Sequence, residues 1–360
     1  MSFLIAGIGL STAFAGTAAG TSADLSDRGS AYFSNPAFID SAYRPQICAF
    51  RAREGLDSFE ARCGALLAEA TADFLENITK VRGATDWPLD IILNLPEVSD
   101  RDGCGPDRLS DLAKGLARRL RDDLGGTGGF EIGEVRVIFG GQAGPGVAIA
   151  AAAEKGLAER GLLVAAVDSF NDRDRLLACS AQNLLFSDSS PYGLVPGEAA
   201  GLILLVPEVE DPSKADPGFH RVLSAGSAQE EAGERSGADS AFTGLSDCAL
   251  EALDGVEAPV AVVLSDWNNS RYRAAELSYC FHRLSGPHLA AGAEPEYPGV
   301  AFGDVGAAFA PLAVARALEM ETEEAELILL LASSTHSCER SAILIQPSPS
   351  KQRRSAIGEA

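Results

Sequence analysis

The sequence predicts an α/β protein built on a mainly parallel sheet that is covered by helices on both faces. Apolar, β-branched stretches alternate with helical patterns along most of the 360 residues. This alternation occurs once before about residue 206 and again after it, and the 46% hydrophobic composition is enough for a large core. We therefore predict two similar α/β halves, at residues 1–206 and 207–346, followed by a disordered polar tail at 347–360.

Charge and hydropathy argue against two classes of partner. The chain has 51 acidic and 29 basic residues, and its formal charge of −22 disfavours binding to nucleic acid or to anionic lipid. No apolar stretch approaches the roughly 18 residues that span a bilayer. Residues 1–20 are apolar, but they lack a basic start and carry Gly7, Gly9 and Gly16, which favours a strand over a secretory signal. We expect no nucleic-acid partner and no membrane association.

The cysteines and histidines indicate a reducing compartment and no metal site. The seven cysteines are dispersed, include no CxxC pair and are odd in number, which argues against a disulfide framework. The four histidines lack metal-ligand spacing to other ligand types. We expect a cytoplasmic protein without metal or cofactor.

The first half begins with a strand at residues 3–9, which ends in a Gly-x-Gly turn. Residues 11–53 mix glycine, serine, proline and aromatic residues, and this mixture predicts irregular structure with short strands. Helical or strand periodicity then predicts a helix at 59–77, a strand at 90–95 and a helix at 109–124.

The central unit follows. The apolar stretch 135–139 predicts a buried strand, and the glycine-rich turn GGQAGPG at 140–146 ends it. The alanine-rich stretch 147–160 predicts a helix closed by Gly161, and residues 162–167 predict a buried strand that Asp168 ends. After a polar crossing, the turn Gly197-Glu198-Ala199-Ala200 leads into a further core strand.

The second half repeats this pattern after residues 208–237, a polar and acidic stretch that we interpret as a link. The predicted elements are helices at 240–253 and 274–284, a helix that begins after the turn FGDVGAA at 302–308 and reaches residue 320, and strands at 260–264, 326–332 and 341–346.

The order of these motifs resembles the β-ketoacyl synthases, condensing enzymes of the thiolase-like fold. The likeness rests on the 134–206 unit and on the GDVGAA turn at 303–308. It implies a thiolase-like architecture, in which two similar halves pack as five layers, α-β-α-β-α. It also implies that Gly197 and Glu198 form a structural turn.

The resemblance assigns positions to the condensing triad, and this sequence departs from each of them. Gln142 stands where the family has a nucleophilic cysteine at a helix N-terminus. Trp267, followed by Asn268, stands where the family has its first histidine, and Asp304 stands where it has the second. The loop 333–340 replaces a glycine-rich loop. These substitutions predict a chain that has lost its catalytic residues and acts as a non-catalytic interaction or accessory protein, with an adaptor role beside type VI secretion as one possible setting.

Two catalytic alternatives stay open at this point. Some family members carry glutamine for cysteine and either decarboxylate malonyl groups or form the inactive half of a heterodimer, so Gln142 could belong to a malonyl decarboxylase. His336 and Cys338 lie two residues apart on a loop that should reach the same site, and a Cys-His dyad there would make an acyltransferase.

Two packing predictions complete the analysis. In the family, the strand before the nucleophile lies at the sheet edge and pairs with its copy across a two-fold axis. Since 135–139 contains no proline or lysine to protect such an edge, we expect a homodimer or a heterodimer with a related subunit, with acyl carrier protein or another protein as a further partner. We also expect Ala148, Ala151 and Ala152 to be buried against the helix that starts near Val305.

Overall fold

The computed structural model describes residues 2–40, 43–56, 58–78, 88–157, 160–208, 220–320 and 326–348. The predicted tail lies almost entirely outside these ranges. The strands are β1 (Phe3–Thr12), β2 (Phe33–Ile39), β3 (Pro45–Cys48), β4 (Leu89–Asn94), β5 (Ile132–Ile138), β6 (Gly161–Ser169), β7 (Glu198–Pro207), β8 (Arg221–Gln229), β9 (Val260–Ser265), β10 (Leu289–Glu296), β11 (Leu327–Ser333) and β12 (Glu339–Gln346). The α-helices are α1 (Ala18–Arg28), α2 (Phe59–Ile78), α3 (Pro106–Asp122), α4 (Gly144–Lys155), α5 (Arg173–Ala181), α6 (Gly244–Ala252), α7 (Arg271–Leu284), α8 (Gly299–Phe302) and α9 (Phe309–Glu319).

Ten strands form one sheet in the order β10-β9-β11-β12-β8-β1-β7-β6-β4-β5. The order divides into two sets of five with the same pairing pattern. In the first set, β5, β4 and β6 are parallel, and β7 and β1 continue antiparallel. In the second set, β10, β9 and β11 are parallel, and β12 and β8 continue antiparallel. A short contact between β1 and β8 joins the two sets. The chain therefore contains the repeated α/β unit that the alternation predicted.

Three apolar clusters separate the layers. One cluster packs α2 and α3 against the outer face of the first five strands. A second packs α6 and α7 against the outer face of the second five. The third and largest lies between the two sets and contains α4 and α9. These clusters define five layers, α-β-α-β-α, and confirm the predicted thiolase-like architecture. The division of the halves at residue 206 stays a prediction. Among the described residues, no helix is long and apolar enough to cross a membrane.

The elements that the sequence did not predict are short or built from small residues. They are α1, α5, α8, β8 and β10. Strand β8 lies in the middle of the ten-stranded sheet, where the sequence suggested a polar link. A Cβ on its Gly226 would lie 2.1 Å from the carbonyl oxygen of Cys248 in α6. Such close approach of helix and strand requires small side chains, and these weaken the strand signal in the sequence.

Two predictions about α4 were wrong. The helix ends at Gly156, whose φ of 76° favours glycine, and Gly161 is instead the first residue of β6. Ala148, Ala151 and Ala152 are only half-buried, while the buried side chains of the last turns belong to Ile149 and Ala150. The buried face of α4 differs from the predicted one because α4 packs mainly on β8 and β12 rather than on α9.

Candidate functional site

The turn between β5 and α4 brings Gln142 to the N-terminus of a central helix. A Cβ on Gly140 would lie 2.5 Å from the Cα of Gly144, so the chain can reverse this tightly only with glycine. Asn94, at the end of β4, holds the turn: its Nδ2 donates to the carbonyl of Gly141 at 2.8 Å, and its Oδ1 accepts from the N–H of Gly140 at 3.1 Å. Gln142 is 7% exposed. Its amide side chain is therefore held in the interior next to the start of α4.

A small cavity of about 50 Å³ lies against Gln142. Its other lining residues are Pro96, Glu97, Asp102, Cys104, Gly141, Asp168, Phe170, Arg175, Cys179, Leu194, Arg235, Asn268, Asp304, Gly306, Thr335 and His336. Four of the residues singled out in the sequence thus meet here: Gln142, Asn268, Asp304 and His336. A volume this small holds a water molecule or two rather than a pantetheine-sized group.

Two other singled-out residues lie outside this lining. The Trp267 ring packs against Tyr297 with centroids 4.9 Å apart, and its Nε1 donates to the carbonyl of Ser270 at 3.0 Å. Trp267 lines a neighbouring apolar groove together with Asn268 and Asp304. The Cys338 thiol contacts the backbone carbonyl of His336 at 4.0 Å. The imidazole of His336 is bound to Asp102, so the two side chains do not form a dyad.

Asp304 is held in place by both of its carboxylate oxygens. Oδ2 accepts from Nδ2 of Asn268 at 2.7 Å, and Oδ1 accepts from the N–H of Gly306 at 2.8 Å. Its backbone forms a bridge with the Gly197 turn, since the N–H of Gly197 donates to the Asp304 carbonyl at 2.9 Å. Asp304 is 7% exposed and lines the cavity. The position therefore presents a fixed acceptor rather than an imidazole.

Glu97 accepts hydrogen bonds from the backbone N–H groups of the loop that follows β11. Its carboxylate accepts from the N–H groups of Thr335 at 2.7 Å, His336 at 3.0 Å and Ser337 at 2.6 Å. Three successive amides around one carboxylate form an anion-binding nest. Because the chain supplies its own carboxylate, these donors are not available to a substrate oxyanion.

Asp102 and His336 form a second contact between the first half of the chain and the loop after β11. Nε2 of His336 lies 2.7 Å from Oδ2 of Asp102, and both side chains are largely buried. The hydrogen bond to Asp102 raises the pKa of His336 above its usual 6.5, although burial opposes this. Burial works against ionisation of Asp102, but the hydrogen bond and charge of His336 outweigh it and lower the pKa of that carboxyl. The imidazole is thereby committed to an internal ion pair.

Asp168 and Arg175 form a buried ion pair at the back of the cavity. Oδ2 of Asp168 also accepts from the N–H of Ala307 at 3.1 Å, which ties the end of β6 to the turn before α9. The two thiols in the lining are poor nucleophiles, since burial raises the pKa of Cys104 to about 11 and that of Cys179 to about 12.

Ser334 closes the opposite side of the turn. Its Oγ donates to the carbonyl of Gly140 at 2.5 Å and accepts from the N–H of Ala143 at 3.2 Å. One hydroxyl thus occupies an amide donor at the start of α4, next to Gln142. This contact and the Glu97 nest both join the first half of the chain to the loop after β11 in the second half.

Glu198, in the turn that leads into β7, is completely buried and accepts from several donors. Arg62 donates to both carboxylate oxygens, with Nε 2.7 Å from Oε2 and Nη2 2.9 Å from Oε1. Nη1 of Arg53 donates at 2.6 Å, the backbone N–H of Arg51 at 3.0 Å and Oγ of Ser169 at 3.0 Å. These contacts organise the scaffold behind the cavity.

Sequence reasoning missed Glu97, Asp102, Arg175 and Ser334. One signal could have found some of them: polar side chains follow the carboxyl ends of parallel strands, which meet at one edge of a sheet. Glu97 comes three residues after β4, Asp168 is near the end of β6, and Ser334 directly follows β11. Among the described residues, no group of three His, Cys, Asp or Glu side chains could hold a metal ion.

Comparison with known proteins supports the fold. No protein-family model and no curated protein matches this chain. The solved structures similar to it include the ishigamide ketosynthase/chain length factor, with a TM-score of 0.68, 16% identity, and coverage of 96% of this chain and 99% of that one. They also include the ketosynthase from module 6 of the bacillaene synthase of Bacillus subtilis 168, with a TM-score of 0.68, 13% identity, and coverage of 96% and 72%.

A third similar structure is a type II polyketide synthase acyl carrier protein in complex with its ketosynthase bound to the hexaketide. It has a TM-score of 0.70, 14% identity, and coverage of 96% of this chain and 99% of that chain. The TM-scores establish the fold. At identities this low they say nothing of the chemistry, which must be argued from the residues of the site. The chain has the thiolase-like fold of the ketosynthases.

Proposed function

We propose that this chain is a ketosynthase-like protein without condensing activity, and that it acts as a folded partner subunit. The proposal rests mainly on Gln142, whose amide lies next to the N-terminus of α4, the position that the resemblance assigns to the thiolate of a condensing enzyme. An amide cannot accept an acyl group as a thiolate does.

The electrostatics of the cavity support the same conclusion. Its lining contains the carboxylates of Glu97, Asp102, Asp168 and Asp304, against two guanidinium groups and one imidazole. The carboxylate of a malonyl group would meet this excess of negative charge. Asp304, at the place of an oxyanion donor, would oppose a developing enolate instead of stabilising it.

The edge strand β5 supports pairing with a second subunit. It is the last strand of the ten-stranded sheet, and its outward-facing backbone groups have no partner strand in the described chain. Val135, Val137 and Phe139 are only half-buried. A second copy or a related subunit that adds its own edge would extend the sheet and cover these side chains.

The names of the similar structures suggest where to look for partners. One is a ketosynthase/chain length factor, and another contains an acyl carrier protein bound to its ketosynthase. We propose a homodimer or a heterodimer with a related subunit, in the cytoplasm, with an acyl carrier protein or another protein as a candidate further partner. An accessory role of this chain beside type VI secretion is one setting in which to test it.

Acyl transfer to the purified protein tests the loss of activity. We expect that incubation with malonyl and acyl thioesters of acyl carrier protein gives no ketoacyl product, no release of carbon dioxide and no covalent adduct by intact-mass spectrometry. The Gln142→Cys variant is the matched control for position. We expect this variant to form no acyl adduct either, because the small cavity excludes the thioester and its carboxylates disfavour the thiolate.

The alternative function is an acyl-thioester enzyme with a rebuilt site. Steady release of carbon dioxide from malonyl thioester, lost in Gln142→Ala, would identify a decarboxylase. An acyl adduct that disappears in Cys338→Ser would identify an acyltransferase. Either result would overturn the proposal.

A further inference from the structure

We infer that a cleft of about 540 Å³ beside the cavity binds a small-molecule carboxylate, with Arg235 as the group that holds it. The inference goes beyond the proposed function, because it concerns a ligand site outside the position of Gln142 and needs no chemistry there. The cleft lies between the loop before β7, the segment between β8 and α6 that carries Arg235, and the residues before and at the start of α7. Leu194, Arg235 and Asn268 line both this cleft and the small cavity.

Arg235 has a positive charge without a direct counter-ion. Its Nε is buried and has no hydrogen-bond partner. Within the described ranges, no carboxylate lies at ion-pair distance from its guanidinium. A partly buried guanidinium that lacks both a counter-ion and a hydrogen-bond partner is destabilised unless it binds an anion.

The acidic side chains nearest to Arg235 are already neutralised by other cations. Glu234 accepts from Nε of Arg273 at 3.2 Å and from Oγ of Ser270 at 2.6 Å. Asp102 is paired with His336 at 2.7 Å. The chain has a formal charge of −22, and the charges of Asp102 and Glu234 act on Arg235, yet neither carboxylate forms an ion pair with it.

A second arginine faces the same cleft. The guanidinium of Arg271 stacks on the ring of Tyr192, 3.6 Å from the centroid. Stacking orders the guanidinium and leaves the N–H groups at its edge directed away from the ring. Among the described residues Arg271 also has no ion pair. The remaining lining includes the hydroxyl of Ser190 and the amide of Asn183, which suit the polar part of a ligand.

These features select the class of ligand. A guanidinium binds a carboxylate through two parallel hydrogen bonds, and a volume of several hundred Å³ is typical of small-molecule sites. With one guanidinium at the inner end and a stacked one in the same cleft, a dicarboxylate is the best match. The inferred ligand is thus a free carboxylate, which the guanidinium recognises by its charge and its two parallel donors. An acyl thioester lacks this group.

Isothermal titration calorimetry with succinate and citrate tests this site on the full-length protein. We expect saturable binding that weakens as salt is added. Arg235→Gln should weaken binding at least about tenfold, Arg235→Lys less, because it keeps the charge and loses the fork, and Arg271→Gln about threefold. Arg121→Gln, on the exposed side of α3, is the matched control and should bind as the unaltered protein does. Circular dichroism and the melting midpoint of each variant establish that it is folded.

Three results would overturn the inference. The first is no heat and no change in the Arg235 Nε–H resonance up to about 20 mM succinate or citrate. The second is equal affinity in Arg235→Gln and the unaltered protein. The third is binding of inorganic phosphate without binding of either carboxylate. Since none of these measurements involves Gln142, their failure would leave the proposed function standing.

Discussion

The two ends of the ten-stranded sheet are protected very differently. At the second-half end, β10 contains Pro295, a glycine with a φ of 87° at position 292, and an irregular register against β9 between residues 289 and 294. It also presents Glu294 and Glu296. These are the devices that keep an edge strand from pairing with another chain. At the first-half end, β5 has no proline and no glycine with a positive φ, so its protection is weaker. It keeps two of these features, a register shift against β4 between residues 89 and 91 and the exposed charges of Glu134 and Arg136, and its register is regular from residue 91 onward.

The central helices differ in the same direction. Helix α9, which belongs to the second half, is buried along most of its length. Helix α4, which follows β5, leaves a face of small side chains half-buried: Val147, Ala148, Ala151, Ala152 and Ala153. Helices α4 and α9 occupy equivalent places in the two halves, but the chain covers α9 more completely than α4. We infer that the first half is the side on which another subunit completes the structure.

The largest expected effect is on association. Val137→Lys places a charge on the half-buried face of β5, and we expect it to raise the dissociation constant of the proposed dimer about 100-fold or more. The matched control, Ala291→Lys, puts the same charge on the exposed part of β10, where we expect no change. Light scattering at micromolar concentration measures both.

A stable monomer for the unaltered protein, with the same mass and solubility for Val137→Lys, would show that β5 is covered from within the chain. Equal dissociation by the two lysine variants would point to a general charge effect and would remove the distinction between the two edges.

The next effect is on the contact that joins the halves. Glu97 follows β4 in the first half and accepts three N–H groups from the loop after β11 in the second. Glu97→Ala leaves these partly buried donors without their protein partner, and we expect a loss of about 1–3 kcal/mol in the free energy of unfolding. Glu131→Ala, on an exposed loop, should change it by less than about 0.5 kcal/mol. Urea denaturation followed by circular dichroism measures the difference, and similar losses in both variants would contradict the role of the nest.

The fold could be predicted from the sequence where strands are buried on both faces and helices have a clear apolar face. Strands β4, β6, β7 and β11 are continuous apolar stretches, and α2 has regular helical spacing, so these elements were found within a few residues. Strand β8 was missed, since its close contact with α6 selects glycine, alanine and serine.

The candidate site was predictable only in part. The strand-turn-helix pattern identified Gln142, and the Gly-Asp turn identified Asp304. The partners that occupy their surroundings could not be found this way. Glu97 and Thr335 are 238 positions apart, and nothing local in the sequence indicates that a carboxylate from one half will bind the amides of the other.

A smaller effect tests the orientation of α4. Ala150 is 4% exposed, so Ala150→Leu should overpack the layer between the two sheets and cost about 1–3 kcal/mol of unfolding free energy. Ala151 is half-buried, and Ala151→Leu should cost less than about 0.5 kcal/mol in the monomer. Thermal or urea unfolding of both variants measures this. If Ala151→Leu is the more damaging of the two, the face of α4 that we assign to another subunit already packs inside the chain.

The smallest effect concerns the Asp102–His336 pair, another contact between the halves. His336 has a raised pKa, so its contribution to stability is complete below about pH 6.5 and is lost as the pH rises through its folded value. Asp102 has a lowered pKa, so its contribution is present above about pH 4 and is lost as the pH falls through its folded value. Asp102→Asn should therefore reduce the unfolding free energy most between these limits, by about 1 kcal/mol, and less on either side. NMR titration of the histidine ring protons, with His336→Gln to assign the signal, should show the pKa of His336 falling in Asp102→Asn. An unchanged pKa would mean that Asp102 does not hold this imidazole in solution, and that the loop after β11 is tied to the first half by Glu97 and Ser334.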